Sequence, residues 1–190
     1  MVASELARTL LTLNTHVPVI VLQDMKTPMK SSLGELVLKK GVKLELPLGE
    51  AIPLIERNVV KINPEGLPSL REMNKIRWME SRDPNVVQKL DEDFYVKARL
   101  FIMLMESESQ DRRAIDLAKA MLLDIIKLRL QKILKAVTAN PELNRDFAEK
   151  LTIEERALYA ALCRCVKMWY SSMLEFVERG DPLAREHRSS

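Results

Sequence analysis

The period of the apolar positions changes near residue 66. Before it the runs are short and β-like. Residues 17–22, 35–38, 42–46 and 59–62 read as strands, and Lys43-Leu44-Glu45-Leu46 alternates polar with apolar as a half-buried strand does. Gly34 and Gly41 mark turns, so Lys39-Lys40-Gly41 reads as the loop of a hairpin, and Pro47 stops the strand before it. Two helices are expected here, one over 4–13 and a short one over 48–57 with Ala51, Ile52 and Ile55 inward. Asn63-Pro64-Glu65-Gly66-Leu67-Pro68 then interrupts the pattern as a linker or stiff joint.

Beyond the linker, helix-start signals recur. Ser69 with Glu72 and Thr152 with Glu155 are capping boxes, in which hydroxyl and carboxylate satisfy two otherwise free backbone N–H groups. Asp83-Pro84 and Asn140-Pro141 each place a capping side chain before a proline at the first helical position. Gly180 and Pro182 end the last helix, leaving a polar tail. Two long segments, 111–138 and 153–177, are apolar on more than one face. In the first, Ile115, Ala118, Leu122, Ile125, Ile133 and Val137 form one side, and Leu117, Met121, Leu128 and Leu134 much of the rest. In the second, Leu158, Leu162, Cys165, Trp169 and Phe176 form one seam, and Tyr159, Val166, Tyr170 and Leu174 another. A surface helix needs one apolar stripe, so helices this apolar are covered on several sides. A chain of 190 residues has limited interior for that, and the surplus points to partner subunits. The expected fold is α+β: a small, mostly β domain over 1–62, a linker over 63–68, and an all-α bundle over 69–190.

Charge alters this picture little. The net charge is +3, with 8 basic and 7 acidic side chains in residues 1–66 and 22 and 20 in 67–190. A dedicated nucleic-acid binder usually carries a basic stripe or domain, and the balance of each half shows neither, though it leaves room for a local patch. Cys163 and Cys165, two apart on a helix, point to different faces, so a disulfide or shared metal is not expected and a reducing compartment is. No signal peptide or membrane span is read. His16 and His187 have no metal-ligand neighbours, the five glycines are isolated, and no phosphate loop or zinc motif occurs. No cofactor, no metal and no catalysis are therefore expected.

Asp91-Glu92-Asp93 is read as the acidic start of a helix rather than a carboxylate pair. Arg129, Lys132 and Lys135 form a basic strip that could meet phosphates, but an ion-paired structural role for Arg129 is the better reading. Trp78, Trp169 and Tyr170 are large anchors, equally suited to core or interface.

Together these runs resemble a known family. Val42-Lys43-Leu44-Glu45-Leu46-Pro47-Leu48, a short helix and Val59-Val60-Lys61-Ile62 are similar to the small β domain of a GINS-complex subunit. Leu90-Asp91-Glu92-Asp93-Phe94-Tyr95 resembles the start of the GINS helical domain, Ile126-Lys127-Leu128-Arg129-Leu130-Gln131-Lys132-Ile133 its central helix, and Leu151-Thr152-Ile153-Glu154-Glu155 the beginning of its last. The β domain comes first, as in the archaeal subunit related to the Psf-two and Psf-three proteins. The resemblance implies a non-catalytic DNA replication factor of the archaeal cytoplasm, acting at the fork. It would join a second GINS subunit type in a two-plus-two heterotetramer. That complex binds and stimulates the MCM helicase, with a RecJ-like replisome protein as a further partner and DNA polymerase or primase as additional candidates. Contact with DNA would be weak or indirect. On this reading Phe94, Tyr95, Arg129, Lys132, Ile133, Leu162, Trp169, Tyr170 and Met173 are candidate interface residues, and Lys43, Leu44, Glu45, Leu46, Pro47 and Leu48 carry the β-domain signature. The competing reading is a helical DNA-binding regulator with an accessory β module.

Overall fold

The computed structural model describes residues 14–25, 28–32, 34–108 and 111–179. The expected helix at 4–13, the helix stop at Gly180 and Pro182, and the tail with His187 lie outside them. A small sheet is followed by a helical bundle, the α+β arrangement expected from the two hydrophobic periods. The order is β1 (His16–Val21), β2 (Met29–Ser31), β3 (Gly34–Leu36), β4 (Lys43–Pro47), α1 (Leu48–Glu56), β5 (Val60–Ile62), a 3-10 turn (Pro64–Gly66), α2 (Leu70–Arg82), α3 (Phe94–Glu108), α4 (Arg112–Ala139), the single-turn α5 (Arg145–Ala148) and α6 (Ile153–Arg179).

By internal contacts the described residues group into two compact units, those from 14 to 75 with 93–122 and those of 76–92 with 123–179. In the first, β1 is the centre of an antiparallel sheet ordered β4-β1-β5, with Val19 opposite Leu44 on one side and Ile62 on the other. Val17, Val19 and Val21 are fully buried, as the period-two pattern requires. Pro18 sits in this central strand, where it can give no N–H. Its carbonyl accepts from Asn63 N–H at 2.8 Å, on the side where β5 has already ended, so the missing donor costs no bond to β4. The linker is folded against this sheet. Asn63 is buried and its side chain accepts from Glu65 N–H, Lys43 pairs with Glu65, and Leu67 joins the sheet's core. A Cβ on Gly66 would stand 2.6 Å from both Cβ and Cγ of Pro18, so only glycine lets the turn lie this close.

Two expectations change in this unit. Residues 35–38 and 42–46 do not form one hairpin. Instead β3 pairs with β2, the chain turns through Gly41 at φ +85°, and β4 pairs with β1. The reason is Leu38, which is buried in the core with its carbonyl bonded to Met25 N–H and so leaves the strand line. In α1, Leu48, Ala51 and Leu54 face inward and Ile52 is exposed. Glu50, on the first turn of α1, takes the Ser31 hydroxyl at 2.6 Å and Ser32 N–H at 2.9 Å, tying the β2–β3 hairpin to the helix. Those donors hold its carboxyl below the usual range.

Both capping boxes form. Ser69 N–H donates to Glu72 at 2.7 Å while Glu72 N–H donates to the Ser69 hydroxyl at 3.3 Å; Thr152 and Glu155 make the same reciprocal pair at 3.0 and 3.4 Å. The two proline starts do not. Asp83 accepts from Asn85 N–H and Asn140 from Glu142 N–H, each closing a local turn with no helix behind it. Residues 83–91 run without regular structure, and the helix after Asn140 waits for a second cap at Asn144. Asp91, Glu92 and Asp93 directly precede α3, with Asp93 paired to Lys97 one turn on.

Candidate subunit interface

The second unit is organised around a buried charge cluster. Arg129, on α4, is fully buried. Its Nε and Nη2 donate to the two carboxylate oxygens of Glu155, both at 2.7 Å. Nη1 donates to Glu80 Oε1 at 2.5 Å and to the carbonyl of Gln88 at 2.8 Å, and Nη2 also reaches the carbonyl of Lys150 at 3.1 Å. One helical turn on, Lys132 donates to the other oxygen of Glu80 and, at 2.6 Å, to the carbonyl of Val86. Two cations thus face two carboxylates, with polar backbone filling the remaining valences. Burying charge is tolerable on those terms only. Glu155 does double duty, since the oxygen that takes Arg129 Nη2 also takes the cap N–H of Thr152.

This geometry decides between the two readings of the Arg129 strip in favour of the ion-paired one. Arg129, Lys132 and Lys135 are not a strip available to phosphates. The first two are enclosed, and Lys135 is bonded to Asn85. The irregular segment 83–91 supplies the backbone carbonyls that a helix would have used internally. Among the candidate interface residues, Phe94, Arg129, Lys132 and Ile133 are buried by this chain itself, so their surface is already spent. Tyr95, Leu162 and Met173 are half-buried. Trp169 and Tyr170 stand open, 63% and 56% exposed. Of the signature stretch, Leu46, Pro47 and Leu48 are buried in the β module while Lys43 and Glu45 face out.

Around the cluster, Ile133 and Val137 of α4 close a core with Leu151, Tyr159 and Cys163. The Tyr159 hydroxyl donates to the Glu142 carbonyl and accepts from Asn144 N–H, fixing the α4–α6 connection, and burial pushes its pKa up. Cys163 is buried and Cys165 exposed, as their spacing requires. The neighbouring side of α4 has no such cover. Leu123, Ile126, Leu130 and Leu134 follow helical spacing there and are all exposed. In α6 the buried seam Tyr159–Cys163–Val166 continues in register into Tyr170, Met173 and Val177, and past Val166 that seam loses its cover. Met168, Trp169, Tyr170, Leu174, Phe176 and Val177 are exposed all round the helix. The last 13 residues of α6 therefore run on for about 20 Å beyond the core they began in.

Glu80 and the carbonyls of Val86, Gln88 and Lys150 were not legible as partners of α4. No local pattern links Glu80 to an arginine 49 residues later. No cluster of His, Cys, Asp or Glu suited to a metal ion occurs among the described residues, and no helix among them is long and apolar enough to cross a membrane. A comparison with curated proteins finds no match. The family model described as the GINS complex protein helical bundle domain matches residues 67–174, more than half of the chain. The match runs from the end of the linker through the charge cluster to the exposed part of α6, and the chain belongs to the GINS family of DNA replication complex subunits.

Proposed function

We propose that this chain is a non-catalytic subunit whose work is assembly: it joins a second GINS subunit type in a two-plus-two tetramer of the archaeal kind. The observation that carries the reading is the overhang of α6 together with the open stripe on α4. Ten apolar side chains on two helices of one unit are left to water. Exposed apolar surface on this scale marks a protein–protein site. Trp169 and Tyr170 suit its centre, because buried aromatics dominate interface energetics. The β-first order supports the Psf-two/Psf-three type, with residues 1–62 as a docking element and 69–190 as the assembly domain. The assembled complex would then act on the MCM helicase and a RecJ-like partner.

Co-expression with the other GINS subunits encoded by the same genome tests this. The expected result is co-purification with a mass equal to two copies of each of two chains, while the chain alone self-associates. A chain that stays monomeric at micromolar concentration and ignores those subunits overturns the proposal.

A further inference from the structure

Helix α2 carries a second exposed feature, outside the α4 stripe and the α6 overhang on which the proposed assembly rests. Arg71, Lys75, Trp78 and Arg82 are spaced four, three and four residues apart, so they lie in one stripe on a single unbroken helix. All four are exposed, and Trp78 is 57% exposed. The helix alone sets their spacing, spreading three cations over about 16 Å. Arg82 lies over the Trp78 ring with its guanidinium carbon 4.9 Å from the centroid, so a cation already sits against one face of the indole. None of the three cations makes a salt bridge among the described residues. The two acids adjoining the stripe in sequence, Glu72 and Asp83, have other partners. Glu72 lies off the stripe, taken by Ser69 and only electrostatically near Lys75, and Asp83 accepts from Asn85 N–H.

From this we infer that the exposed face of α2 binds single-stranded nucleic acid, the cations meeting phosphates and Trp78 stacking on an unpaired base. A solvated helix face has no use for an exposed tryptophan and usually mixes in acids. A protein partner would find one aromatic and no aliphatic side chain among these four, with polar Asn74 and Ser81 beside them. A single strand needs only a charged track and a stacking platform. Duplex bases are already stacked and would leave the indole unused. The near-neutral charge of the whole chain hides such a patch, because it is local.

The test uses the full chain and a fluorescently labelled oligothymidine, with binding followed by anisotropy over a range of salt. Three phosphate contacts predict a log–log salt slope of about −2. Trp78→Ala should weaken binding by roughly 5-fold or more, and Trp78→Phe should keep most of it. Arg71→Gln with Lys75→Gln should flatten the slope by about 1.4. Circular dichroism should show every variant folded, as expected for exposed positions. No binding at low salt overturns the inference, as do folded variants that bind like the parent. So does equal affinity for duplex of the same length, which would indicate a cationic field alone, or displacement of the strand by polyglutamate at equal charge, which would indicate an acidic protein surface. The proposed assembly rests on the α4 stripe and the α6 overhang, so these variants should leave the mass of the co-expressed complex unchanged whichever way binding falls.

Discussion

Arg129 shows how one side chain can organise a unit without touching its surface. Five of its hydrogen bonds draw α2, the irregular segment after it, the turn before α6 and the α6 cap to one point on α4. Replacing it with methionine keeps the volume and removes the charge. Glu155 then loses both guanidinium bonds while keeping its cap N–H, and Glu80 keeps Lys132 and the Gln88 N–H. An uncompensated buried charge costs about 3–5 kcal/mol, so Arg129→Met should lower the urea midpoint by that much stability. Arg129→Met with Glu155→Met should recover part of the loss, because the buried carboxylate that lost its cation goes with it. A double variant no more stable than the single would show that packing, not charge, governs the site. The ion-paired role of Arg129 could be expected from an arginine on an apolar helix. Its partners could not, since they lie 26 and 49 residues away and in different local patterns.

At the scale of elements, the two capping boxes are identical in sequence logic and unequal in setting. Ser69 and Glu72 are in solvent's reach, whereas Thr152 and Glu155 are buried and wired to Arg129. Ser69 N–H and hydroxyl hold the Glu72 carboxyl below its ordinary range. A carboxyl depressed in the folded state adds stability above its unfolded pKa, near 4.3, and loses that contribution as pH falls through the folded value. The stability difference between the parent chain and Glu72→Gln should therefore be largest near neutral pH and shrink in acid, staying under about 1 kcal/mol because solvent screens the site. Urea titrations at neutral and acidic pH would read this directly, and a difference that grows in acid would contradict it. The proline starts at Asp83 and Asn140 misled for a related reason. Asx side chains close turns as readily as they cap helices, and only the availability of packing behind them decides which.

At the scale of the molecule, the apolar surplus resolves into covered and uncovered parts. Within this chain alone α4 and the first half of α6 are each covered on one side, not on several: Tyr159 and Cys163 are buried while Ile153 and Leu158 are exposed. The open stripe and the overhang remain for a partner. Leu130→Asp with Tyr170→Asp places carboxylates on surface that is exposed in the free chain, where such changes usually move stability by no more than about 0.5 kcal/mol. In a closed seam the same carboxylates would be buried and unpaired. The double variant should melt like the parent, self-associate less, and fail to co-purify with partner subunits in light scattering and mass measurements. Retained co-assembly would move the interface elsewhere.

Local chemistry in the sequence determined much of this protein: the strand at β1, the buried face of the β module, the two capping boxes, the opposed cysteines, and a long-helix region too apolar for one small domain. All depend on neighbours within a few residues, where period, propensity and side-chain chemistry are written directly. Tertiary structure decided the rest. It folded the 63–68 linker onto Pro18, drew Leu38 out of a strand, made the carbonyls of residues 83–91 acceptors for buried cations, and fixed where along α6 the core stops. Those outcomes depend on which distant segments arrive to share or withhold cover, and one helix period reads the same whether its apolar face is met by its own chain or by another.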